Sequence, residues 1–94
     1  MAKALWQGRV LAASDRFETV EGNIYFPPES VDRRFFKDSA TTTICGWKGT
    51  AHYFTVAVDG ADNPDAAWCY PDPKPAAAEI KDYVAFWRGV TVEQ

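Results

Sequence analysis

Between two glycine-bearing turns lies the most regular stretch of the chain: from Thr50 to Asp59, the residues Thr50, His52, Phe54, Val56 and Val58 alternate with Ala51, Tyr53, Thr55 and Ala57. A period of two is the strand period, and it commits this segment to a sheet with two distinct faces, at a central position. Asp59-Gly60 follows at once, and that dipeptide is hairpin chemistry. The rest of the chain keeps the same plan. Short segments are cut by Gly, Pro, Asn and Asp, with neither a linker nor an internal repeat, so residues 1–94 read as a single all-β domain.

The neighbouring segments fill in the plan. Alternation from Leu5 to Ala12 fits one strand bent at Gly8. Arg16 to Val20 and Ile24 to Phe26 form a hairpin about Glu21-Gly22-Asn23, closed off by Pro27-Pro28. Glu29 to Val31 form a brief turn; Arg33 to Phe36 and Thr41 to Cys45 are extended, with Lys37-Asp38-Ser39 separating them. Asn63-Pro64-Asp65 lengthens the connection after Asp59-Gly60 before Ala66 to Tyr70 resumes a strand. Pro71-Asp72-Pro73-Lys74-Pro75 takes a polyproline-like path. A short helix near residues 75–81 comes next, then a strand over Tyr83 to Trp87, although a helical stripe of Ile80, Tyr83, Val84 and Trp87 is a competing reading. Gly89 bends the chain before Val90-Thr91-Val92.

A chain of this size buries about 60–65% of its unfolded surface, so its core has to be efficient. Four Trp, four Tyr and six Phe supply the area. Trp6, Trp68 and Trp87 are assigned to the core, whereas Trp47, between two glycines, is as well suited to a lid or stacking wall. Two cysteines are too few for a secreted disulfide framework, and no apolar run approaches a signal peptide or a membrane span, which points to a cytoplasmic protein without a membrane partner. The net charge of −3 gives no pull toward nucleic acid. Arg33-Arg34-Phe35-Phe36 is the local exception, read as a strand edge with its charges outward and its rings inward.

Several motifs together resemble one family. Trp6-Gln7-Gly8, Glu21-Gly22-Asn23 with Tyr25-Phe26-Pro27, Thr41-Thr42-Thr43 with Cys45-Gly46-Trp47-Lys48-Gly49, and Asn63-Pro64-Asp65-Ala66-Ala67-Trp68 with Tyr70-Pro71 and Pro73 are similar to the domain-of-unknown-function 427 family. The resemblance spans nearly the whole chain. It implies two packed antiparallel sheets, a small sandwich or open-barrel-like arrangement, and carries a nucleotidyltransferase-like label. Nucleotidyl transfer needs carboxylates on divalent ions and a phosphate cradle. Asp59, Asp62 and Asp65 are the only local acid cluster, and turn formation alone selects that spacing. Gly46 stands where the family often has proline, and Cys69 where an aromatic is usual, so Cys69 is read as a small apolar filler.

The functional expectation centres on Cys45-Gly46-Trp47-Lys48-Gly49. Two glycines there allow a thiol, an indole and an ammonium to gather, and a pocket rimmed by Trp47, Lys48 and Tyr70 and reached by Cys45 would suit a small anionic molecule. A protein-interaction surface on Pro71 to Pro75 with Tyr70 is the alternative. The third reading is an enzyme. A four-residue loop over Gly46 to Gly49 would set Cys45 opposite Thr50 and on the face of His52, making Cys45 and His52 the catalytic candidates. Cys45, Cys69 and His52 lack the spacing and number of a zinc site, so neither a metal nor a cofactor is expected.

Overall fold

The computed structural model describes all residues, 1–94. Its architecture is set by tight turns built from left-handed residues: Gln7-Gly8 (φ 51° and 74°), Glu21-Gly22 (52° and 81°) and Asp59-Gly60 (49° and 83°). Two consecutive positive φ values give the type I′ turn, whose twist matches that of paired strands. These turns join β1 (Ala2–Trp6) to β2 (Arg9–Ser14), β3 (Glu18–Val20) to β4 (Asn23–Tyr25), and β6 (Gly49–Val58) to β7 (Ala61–Cys69). The remaining strands are β5 (Phe36–Cys45), β8 (Val84–Phe86) and β9 (Thr91–Glu93). They form three antiparallel sheets, ordered β2-β1-β9, β3-β4 and β5-β6-β7-β8. The fold is all-β with packed antiparallel sheets, and β6 is an inner strand as its alternation required.

Four local expectations are corrected. Leu5 to Ala12 is not one bent strand, because the chain reverses at Gln7-Gly8 and Trp6 pairs with Arg9. Lys37-Asp38-Ser39 separates nothing: β5 is continuous, and its extra residues Ser39, Ala40 and Thr41 bulge opposite Tyr53, between the pairs Asp38–Phe54 and Thr42–His52. Asn63-Pro64-Asp65 likewise lies inside β7, in a second bulge between Phe54–Ala67 and Val56–Asn63. A bulge tolerates the missing amide of Pro64. The two bulges are tied together, since the Asp65 carboxylate accepts bonds from Ser39 Oγ (2.5 Å) and Thr41 Oγ1 (2.8 Å). Finally, Arg33–Phe35 is a 3₁₀ turn rather than a strand, its Asp32 cap accepting from the Arg34 amide.

The short helix is found over Pro75–Ile80 as 3₁₀ turns, kinked at Ala77 (φ −120°) and burying Ala77 and Ile80. It is followed by strand β8, which resolves the competing readings of residues 82–88 in favour of the strand. No helix is long and apolar enough to cross a membrane.

The four-stranded sheet is packed on both faces. On one side Val56, Val58, Ala67, Cys69 and Phe86 meet Ala2, Ala4 and Leu11 of the three-stranded sheet and Phe26. Edge-to-face contacts run Phe26–Phe86–Phe36–Phe54 with centroids 5.7, 5.9 and 5.7 Å apart. On the other side Ala51, Trp68, Tyr70 and Ala85 pack with Tyr25, Ala77 and Ile80. The radius of gyration, 12.4 Å, is the value of about 12 Å expected of a close-packed chain of this length.

Candidate functional site

The β5–β6 connection is a three-residue loop, Gly46-Trp47-Lys48, with Cys45 opposite Gly49. Gly49 sits at φ 115°, and a Cβ there would lie 3.3 Å from the Asp72 carbonyl oxygen and 3.5 Å from Pro73 Cα. Only glycine permits this approach. The proline segment lies against the loop as a consequence: the Lys74 amide donates to the Lys48 carbonyl (2.9 Å), and Lys74 Nζ donates to the Gly46 carbonyl (2.7 Å). Pro71 to Pro75 is therefore a brace across the loop. Tyr70, the anchor expected for a docking surface, is buried.

With its backbone pinned, the loop turns Lys48 inward. Lys48 is the one charged residue in the buried set, at 6% exposure. Its ammonium lies 5.4 Å from the centre of the Tyr70 ring and 5.5 Å from that of Trp47, a cation–π seat. Nζ donates to Glu21 Oε1 at 2.5 Å. Burial disfavours the charge, but the Glu21 bond, the Tyr25 and Tyr70 hydroxyls and the Glu21 charge outweigh it, and the pKa rises above the ordinary lysine value. The hydrogen bond from Lys48, then its charge, holds the Glu21 carboxyl below the usual range, and Trp47 adds to the effect. Burial pushes the Tyr70 hydroxyl up. Tyr25 is fully buried beneath, its hydroxyl accepting from Trp68 Nε1 at 3.2 Å.

Lys48, Trp47 and Tyr70 are packed together, with Cys45 at the edge of the same cluster, but the expected pocket is not found among them, because the lysine side chain itself occupies the space between the rings. His52 does not join them. In the three-residue loop Cys45 shares a face with Thr43, Gly49 and Ala51, while His52 lies with Thr42, Ile44 and Thr50 on the opposite face, at the end of the sheet that the core does not cover. A loop one residue shorter than expected reverses the facing of the whole second strand. The thiol directly across from His52 is Cys69, which is buried, with its pKa pushed up to about 11 chiefly by that burial. Such a thiol is a filler and not a nucleophile.

Other candidate groups scatter. Asp59 faces Arg9 and Asp62 faces Lys37 in exposed ion pairs, while Asp65 is held by Ser39 and Thr41. No three His, Cys, Asp or Glu side chains gather closely enough to hold a metal ion. Arg34 pairs with Asp32, and Arg33 lies over the Phe36 and Phe54 rings at 6.0 and 5.8 Å. The single cleft, of about 520 Å³, lies away from Lys48, between Thr19, Asn23 and Ile24 on one wall and Val90 and Val92 on the other.

Sequence reasoning missed Glu21 and Lys74. Glu21 was visible only as a turn residue, yet glutamate at positive φ is unusual, since Asn, Asp and Gly fill such positions far more readily. A charge kept there despite the strain is the signal that was available. Trp87 was assigned to the core but is 42% exposed, its indole donating to the Asp65 carbonyl at 2.6 Å.

A family model described as a domain of unknown function, DUF427, matches residues 1–94. The chain belongs to that family. Comparison with curated proteins returns no match.

Proposed function

We infer that this domain is a binding module without catalytic machinery, which takes a small anionic molecule at Lys48 in exchange for the Glu21 carboxylate. One observation carries the reading: the cation of the pair is almost wholly buried, whereas the anion is half exposed, with side-chain exposures of 8% and 54%. A buried ammonium requires an anion at all times. It does not require this one. Glu21 stands at the tip of a hairpin with three residues in each strand, an element of marginal stability by itself, and its carboxylate regains hydration when it swings out. A carboxylate or phosphate group entering in its place would meet Lys48 and the flat wall of the half-exposed Trp47. Tyr70 and Cys45 line the inner side. The free thiols Cys45 and Cys69 suit a reducing, cytoplasmic setting.

The test uses inorganic phosphate and acetate at constant ionic strength, with chloride as control and thermal unfolding as readout. Glu21→Gln vacates the anion position while leaving the cation, so this variant is expected to be stabilised by phosphate more than the wild type. Lys48→Met should lose the response. A ligand bound only by the folded state at a hundredfold excess over its Kd adds about 2.7 kcal/mol, which is readily seen. Equal responses of Glu21→Gln and Lys48→Met to phosphate would remove the reading.

A further inference from the structure

We propose that strand β5 is the seam of a two-fold homodimer, pairing antiparallel with β5 of a second copy so that two four-stranded sheets become one of eight strands. The argument starts from the sheet edges. Edge strands expose unpaired amides and carbonyls, and folded proteins shorten, cover or charge them. Here β2 is bridged at Ala12 by Val31, and β8 at Val84 by Phe26. The edge strands β3 and β9 have three residues each. Only β5 is both long, at ten residues, and uncovered. Its backbone from Thr42 to Cys45 makes no hydrogen bond outside the pairing with β6.

The protective devices are also missing from this stretch. From Ser39 to Gly46 the sequence holds neither a charge nor a proline. The bulge ends before Thr42, and the register is then regular through Cys45. The residues are β-branched and threonine-rich, which favours pairing.

The same composition selects the partner. A strand without charge offers nothing to a charged segment, but it is complementary to itself, since any two-fold antiparallel register over it places only uncharged side chains across from one another. Ile44 picks the register. It is 84% exposed, the most exposed large apolar side chain in the molecule. Centring the two-fold at Ile44 sets each Ile44 against the other, Thr43 against Cys45 and Thr42 against Gly46. Each copy carries a net charge of −3, so association is opposed at long range and tightens with salt.

Sedimentation velocity on the wild type from about 1 μM to 1 mM, a range that brackets weak self-association, is expected to show the mass doubling with concentration, more readily at high salt. Ile44→Lys sets two ammonium groups against each other at the axis and should weaken the dimer roughly tenfold or more, without altering circular dichroism or, at the low concentrations where both proteins are monomers, the melting temperature, because the position is exposed. Ile44→Val should still dimerise. A wild type that stays monomeric throughout, or an Ile44→Lys variant that dimerises equally well, overturns the proposal.

Discussion

Lys48 and Glu21 are 27 positions apart in the chain, and their unequal burial predicts unequal consequences of removing each. Lys48→Met keeps an apolar stem between the aromatic rings and releases Glu21 to water. Glu21→Gln leaves an ammonium buried with only rings and an amide for company. The expected order of melting temperatures is wild type, then Lys48→Met, then Glu21→Gln, and calorimetry of the three proteins checks it. The pH dependence follows from the two pKa shifts. Glu21, lowered from 4.5, contributes stability that is complete above that value and is lost as pH falls through its folded pKa. Lys48, raised from 10.5, contributes stability that is complete below that value and is lost as pH rises through its folded pKa. Urea unfolding of wild type against Glu21→Gln should therefore show a gap that is level from about pH 5.5 to 9.5 and closes in acid.

At the scale of elements, the loop and its brace depend on Gly49. Alanine there is strained at φ 115° and presses on the Asp72 carbonyl, so Gly49→Ala should cost roughly 1–3 kcal/mol. Chemical denaturation measures the loss. Weaker protection of the Lys74 amide in hydrogen exchange would localise it, since that amide is bonded to the Lys48 carbonyl. The elements also show where sequence is readable. Asp59-Gly60 announces its hairpin because both residues adopt positive φ cheaply, while Gln7-Gly8 makes the same turn without announcing it, since glutamine is not a turn former. Alternation over Thr50 to Val58 was legible because its two faces meet different cores. The bulges at Ser39–Thr41 and Pro64–Ala66 were not, because their reason is the bond between them, Asp65 reaching across β6 to Ser39 and Thr41.

For the molecule as a whole, stability rests on a four-stranded sheet with packing on both sides. Phe86 touches both Phe26 and Phe36 and is 6% exposed. Phe86→Ala should cost about 3–5 kcal/mol, read as a lower urea midpoint with an unchanged slope, because Phe86 belongs to the core against which all three sheets pack, and they are expected to unfold together. Of the site, the sequence made Trp47, Lys48, Tyr70 and Cys45 visible as chemically capable residues. It left the role of each open, because a lysine in a turn is ordinarily solvated.

Strand content, the main turns and the all-β class were properties of the chain alone, since alternation and turn propensity are local and act over a few residues. Tertiary structure decided the facing of Cys45 and His52, the inward turn of Lys48 and its partner Glu21. Those outcomes depend on a loop length differing by one residue and on the meeting of two hairpins. No local interaction energy encodes either; they follow from which surfaces are left to bury once the sheets pack.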